Sequence, residues 1–315
     1  MNENLILWEK PQADEIYMLA GWRQWADAGS ISSGLPRYVS RKYKSTQIGE
    51  IQAGGFYLFQ FPGTHDLVRP VVRFRKGYPV ALDTPRNEIF YTGDDERGLV
   101  IFIGDEPHLD VEGYTAAFLD IAETLGVKRI ISFGGVYGEL PYEKERLVSA
   151  SYSRPELEDE LSKLQLTFSD YHGGASIGAY ICKRAGEREI DYVGLYSFVP
   201  TYEFSNISQL GSSIRIERDY MAWLAILKRV RYMLKLDLDL RGLERESRRL
   251  IKQMDEKVDE IDSANPQLGV REYIQRISEE YTEKPFDPLA DVWEEELKRL
   301  VDKFEPDDEE LDSPT

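Results

Sequence analysis

The stretch GLVIFIGDEPHLDVEGYTAAFLDIAETLGVKRIISFGG, Gly98–Gly135, decides the fold. Its two ends are short apolar runs, Leu99–Ile103 and Arg129–Phe133, of the kind that strands buried on both faces produce. Between them Val111, Tyr114, Ala117, Phe118, Ile121 and Leu125 recur at helical spacing. Gly126 follows as the residue that closes the helix. Strand, helix, strand in so short a span predicts a parallel crossover.

Working outward, the same alternation continues. Further strands are expected at Ile16–Ala20, Gln47–Ile51, Phe56–Phe61, Val71–Arg75, Pro79–Leu82, Glu88–Tyr91, Leu164–Phe168 and Tyr192–Phe198, with helices at Ser30–Tyr43 and Ser176–Ala185. From Gln47 to Tyr91 the strands are short and glycine or proline marks the turns, so this segment reads as a β-meander joined to the edge of the parallel sheet. After Pro200 the pattern turns helical, with helices expected at Arg218–Leu236, Leu240–Ile261, Leu268–Tyr281 and Pro288–Phe304. The stripe from Leu243 to Ile261 is narrow and heavily charged on its flanks, which suits a helical hairpin or a helix lying on a partner subunit. The expected fold is α/β: a mixed, mostly parallel sheet with helices on both faces, followed by a helical C-terminal region. The expected organisation is a core domain over 1–205, a helical region over 206–304 and an acidic, disordered tail over 305–315.

Composition narrows the function. A chain of 315 residues buries roughly 75% of its unfolded surface, so a core needs no disulfide or metal. Cys182 is the single cysteine, which fits a reducing, cytoplasmic compartment. The N-terminus reads as no signal peptide, and no run approaches the ~18 apolar residues of a membrane span. The net charge of −18 disfavours nucleic acid and anionic membrane as partners.

Ligands in open α/β sheets bind at the carboxyl ends of parallel strands. Three glycine-marked strand ends qualify. The first, GWRQWADAG, holds Trp22, Asp27 and Gly29. It is neither of the glycine-rich phosphate loops, and Asp27 or Ser30 serves equally as a helix cap. The second holds Asp105, Glu106 and His108, a cluster that suits acid–base work or a divalent metal, although Asp110 reads as a cap and the spacing matches no recurrent metal motif. The third holds Gly134, Gly135, Tyr137 and Glu139, where glycine permits either a ligand-facing loop or a tight strand exit. GASIG at Gly174–Gly178 has the letters of a nucleophile elbow, but no strand ends at Ser176 and no histidine follows His172, so Ser176 is expected to cap a helix. No catalytic, metal or cofactor assignment follows.

In order along the chain, AGWRQWADAG, LVIFIGDEPH, LGVKRIISFGGVYGELP and DYVGLYSFVPTY, followed by the helical end, resemble the type-two proteasome assembly chaperone family, in its bacterial and archaeal branch. The resemblance implies a phosphorylase/hydrolase-like α/β fold, a homo-oligomer such as a trimer, and a chaperone-like role toward a protein client. The family has no agreed catalytic residues. Some members end in a hydrophobic residue, a tyrosine and any residue; Ser313-Pro314-Thr315 departs from that, so docking into a proteasome ring by the tail is not expected. The alternative is an enzyme or small-ligand binder, of a nucleoside or nucleotide type, using the strand-end cleft.

Overall fold

The computed structural model describes residues 3–60, 69–202, 214–284 and 286. In chain order the elements are β1 (Leu5–Leu7), β2 (Glu15–Arg23), α1 (Ile31–Lys42), β3 (Thr46–Ile51), β4 (Val71–Arg75), β5 (Tyr78–Asp83), β6 (Glu88–Gly93), β7 (Arg97–Asp105), α2 (Val111–Leu125), β8 (Val127–Gly138) and β9 (Val148–Tyr152). They continue with α3 (Glu158–Ser162), β10 (Thr167–Phe168), α4 (Ile177–Glu187), β11 (Tyr192–Tyr202), β12 (Ile214–Arg215), α5 (Tyr220–Leu234), α6 (Arg241–Ala264) and α7 (Val270–Glu280).

One mixed sheet runs β1-β3-β6-β7-β2-β8-β11-β9-β10, with β12 added to β11. Its four central strands, β7, β2, β8 and β11, are mutually parallel, and β7–β2 and β8–β11 are its longest pairings. Odd and even residues of one strand enter different cores. Leu99, Ile101 and Ile103 pack with α1, α5 and the helices beyond it, while Val100 and Phe102 pack with α2 and α4. That two-sided burial is why the run reads as unbroken apolar sequence. Helix α2 has the expected bounds: Asp110 accepts from Gly113 N at 3.1 Å, and Gly126 closes it in the left-handed region at φ 65°.

Several expectations change. Phe56–Gln60 is no strand: Phe56 O accepts from His108 N and Leu109 N, so the segment plugs the end of the sheet instead of joining it. β10 shrinks to Thr167–Phe168 because Leu164 closes the α3 turn onto Leu161 O and Gln165 sits at φ 49°. In the expected meander, β3 and β6 do add antiparallel strands to the parallel edge, but β4 and β5 pair only with each other, as a separate two-stranded arm. β8 and β11 run on in register to Pro200↔Gly138, so Gly134 and Gly135 lie inside a strand. Strands β1, β9 and β12 and helix α3 were not expected. Pro288–Phe304 and the acidic tail lie outside the described residues, as do Phe61 and the stretch around residue 205.

The C-terminal helices share the sheet's core. Ile226, Leu227 and Val230 of α5 pack with Val193, Leu195 and Ile131, and α6 lays its narrow stripe of Leu243, Met254 and Val258 onto the same cluster. The join is fixed by one carboxylate. Asp219 Oδ2 meets Arg146 Nε at 2.7 Å with both side chains fully buried. Its Oδ1 caps α5 by accepting from Met221 N and Ala222 N at 3.1 and 3.0 Å. Arg146 Nη1 in turn donates to the carbonyls of Tyr142 and Lys144 in the β8–β9 connection at 3.0 and 2.7 Å. Removing one partner strands a buried charge. Asp219→Ala is therefore expected to cost about 3–5 kcal/mol in urea denaturation. A loss below about 1 kcal/mol, the size of a cap alone, would refute the assignment.

Candidate functional site

The carboxyl ends of β2, β7 and β8 lie side by side, Trp22 opposite Gly104 and Arg23 opposite Asp105. β2 and β8 pair only as far as Ala20↔Ser132. The elbow after β2 then fills the gap, with Asp27 bridging to Gly135. The three glycine-marked corners therefore share one rim, but their side chains go to different tasks.

The first corner is bonded internally. Trp22 is buried, donates from Nε1 to Tyr114 Oη at 2.8 Å, and packs on Phe102 and Phe118. Asp27 Oδ1 accepts from Ser33 N in the first turn of α1 at 2.8 Å. Gly29, at φ 61°, is pressed against Asp219, and its carbonyl accepts from Asp219 N and Trp223 Nε1. Gln24, Ala26 and Ser30 also hold positive φ. Non-glycine residues stay in that region only where surroundings over-determine them. Here the bonds Gly135 N to Ala26 O at 2.7 Å and Ser30 Oγ to Glu217 O at 2.8 Å do so.

The second corner is split three ways. Asp105 is held bidentately by Arg23, at 2.5 and 2.6 Å, and accepts from Arg86 N at 2.8 Å. Glu106 Oε1 accepts from Ile177 N at the start of α4 at 2.7 Å, and burial raises its pKa above the ordinary carboxylate value. His108 Nδ1 accepts from Leu58 N at 3.2 Å while its ring meets Tyr57 edge-on. Among the described residues no three His, Cys, Asp or Glu side chains converge as metal ligands. At the third corner a Cβ on Gly134 would strike the Tyr196 ring, and one on Gly135 would lie 2.1 Å from Ala28 O. Tyr137 and Glu139 are exposed, and Arg215 lies over the Tyr137 ring.

Sequence reasoning passed over the groups that do converge. Behind Asp105 sits a buried network in which Tyr57 Oη and Tyr114 Oη lie 2.8 and 2.9 Å from Asn87 Oδ1. Burial drives both phenols well above their ordinary pKa. In front of it opens a cleft of about 610 Å³ between the rim and the β4–β5 arm. Arg23, Arg37, Arg69 and Arg86 all line it, with Asp83, Glu88 and Asp105. Among the described residues Arg37 makes no ion pair, and Arg69 donates to the neutral Gln60 and lies over the Phe59 ring. The cleft thus offers guanidinium groups to a carboxylate or phosphate. The one available signal was Arg23 at the end of β2, which a parallel register brings opposite Asp105 at the end of β7. Cys182, on α4, is buried, and its thiol is pushed up to about 11 by that burial. The adjacent cations Lys183 and Arg184 pair with Glu187 on the helix surface.

Residues 22–258 match the PAC2 family, and the chain belongs to that family. Among solved structures, its fold is similar to a Mycobacterium tuberculosis proteasome-assembly chaperone homologue, with a TM-score of 0.66 at 20% identity, covering 76% of this chain and 94% of that one. A PAC2 family protein from Streptomyces avermitilis gives 0.64 at 23% identity over 82% and 99% of the two chains. An archaeal proteasome activator from Pyrococcus furiosus gives 0.57 at 22% identity over 81% and 98%. The comparison with curated proteins yields no match. No helix among the described residues is long and apolar enough to cross a membrane.

Burial raises the pKa of Asp27, so the folded state holds this proton more tightly than the unfolded chain does. Its contribution is complete below the unfolded value and is lost as pH rises through the folded one. Asp27→Asn keeps an oxygen for Ser33 N and sheds the buried charge. It is expected to equal or exceed the wild type at pH 7, with its advantage shrinking as pH falls to about 4. Asp27→Ala, which loses the cap, is expected to fall below both by about 1 kcal/mol. Urea denaturation across that range checks the order, and an Asn variant weaker than the wild type at pH 7 would refute it.

Proposed function

We propose that this chain is a non-catalytic, homo-oligomeric interaction protein of chaperone type, acting on a protein client in the cytoplasm. Membership of the PAC2 family carries the reading. It is supported by the fold shared with the Mycobacterium tuberculosis proteasome-assembly chaperone homologue, of which 94% is covered. The rim agrees with it: Asp105, Glu106 and His108 are each engaged in holding the fold. Light scattering at about 10 μM is expected to return a multiple of the monomer mass, and a strictly monomeric protein would overturn the proposal. Affinity capture from native extract of the source cells, read by mass spectrometry, is expected to return a stoichiometric protein partner.

A second reading is favoured by the arginine-lined cleft: a small anionic ligand held by Arg23, Arg37, Arg69 and Arg86. A thermal-shift screen with phosphate, nucleotides and di- or tricarboxylates separates the two. Saturating ligand raises stability by ~2.7 kcal/mol at a hundredfold excess over Kd. The first reading expects every shift to stay below about 1 °C, whereas a larger shift abolished by Arg37→Ala establishes the second.

A further inference from the structure

Among the described residues the β4–β5 arm turns nearly all its apolar side chains to solvent. Val71 is 62% exposed, Phe74 61%, Tyr78 71% and Leu82 59%. Its register, Val72↔Leu82 and Phe74↔Pro79, puts Val72, Phe74, Pro79 and Leu82 on one face. The other face mixes Val71 and Tyr78 with Arg73, Arg75 and Asp83. A two-stranded ribbon is marginal by itself and needs a further strand or a packed face to be stable. A contiguous apolar face left in water marks a contact surface.

The base of the arm is fixed, not loose. Arg86 N, three residues beyond β5, donates to Asp105 Oδ2 at 2.8 Å, and Asn87 stands within the buried Tyr57–Tyr114 network. The arm therefore projects from the rim on an anchored root. Its charge is the reverse of the chain's. Asp83 answers Arg73 at 3.9 Å, which leaves Arg75 and Lys76 at the tip without a counter-charge on the arm. The chain as a whole carries −18, and the described residues alone carry −7. Two identical tips repel each other, but a basic tip is attracted to the acidic body of a second copy.

We infer that the β4–β5 arm is the interface of the homo-oligomer: each copy lays the Val72–Phe74–Leu82 face on the body of the next, steered by Arg75 and Lys76. The inference rests on the homo-oligomeric reading above. Contacts of this kind are head-to-tail and close into a ring when the rotation permits.

Two variants test it by light scattering and sedimentation. Phe74→Glu with Leu82→Glu is expected to give the monomer mass at about 10 μM, where the wild type is oligomeric. Both positions are solvent-exposed, so far-UV circular dichroism and the intrinsic Tm of the isolated monomer are expected to be preserved. Arg75→Glu with Lys76→Glu keeps the apolar face and is expected to weaken assembly at least about tenfold, and raising salt from about 50 to about 500 mM is expected to weaken the wild type in the same direction. An oligomer that survives both variants overturns the assignment of the arm while leaving the homo-oligomer intact, and points to a client as the arm's occupant. A wild type that is monomeric throughout overturns the underlying reading as well.

Discussion

Asp219 is the point on which the architecture closes. Its backbone N–H reaches the elbow at Gly29, one carboxylate oxygen starts α5, and the other neutralises Arg146 from the β8–β9 connection. Three segments distant in sequence are thereby bonded to one residue with no solvent access. A buried ion pair adds little net stability relative to an apolar replacement, but it tolerates no loss of a partner. Its effect is to specify one seat for α5 against the sheet. The strained elbow is held to the same end, because its left-handed residues are pinned by bonds from β8 and α5.

The rim where comparable sheets bind ligands is largely consumed by this internal bonding. Each carboxylate of the Asp105–Glu106 pair is matched to a donor of the protein itself: a guanidinium in one case, a helix N-terminus in the other. The positive groups are left in excess. Four arginines line one cleft against the three carboxylates Asp83, Glu88 and Asp105, a small positive excess in a chain of −18. The basic tip of the arm carries a positive excess of its own outward from the rim.

Much of the architecture was legible because its causes are local. The spacing of Val111 to Leu125, with Asp110 before it and Gly126 after it, defines α2 to the residue. The apolar runs at β7 and β8 announce strands covered on both sides. What stayed hidden depends on contacts between distant segments. β9, VSASY, is small and half polar, and is a strand only because β11 lies beside it. Phe56 has the makings of a strand residue but plugs the sheet end, since two amides of the His108–Leu109 turn claim its carbonyl. The candidate site was read in the same half-complete way. Its corners are marked in the sequence by Trp22, His108 and Tyr137 together with acidic and glycine residues, whereas the arginines carry no such mark. A guanidinium's meaning lies in whether a carboxylate stands opposite it, and that pairing is not written along the chain.

Burial of the only thiol has a practical corollary. Cys182 sits on the buried face of α4, and its thiolate is suppressed by a pKa of about 11, so at neutral pH it offers almost no nucleophile to a maleimide or an iodoacetamide. The natural chain is consequently a silent background for site-directed spin or fluorophore labels. A single cysteine placed at an exposed position would be the sole reactive group, and a label could be attached there without first removing a native residue from the core.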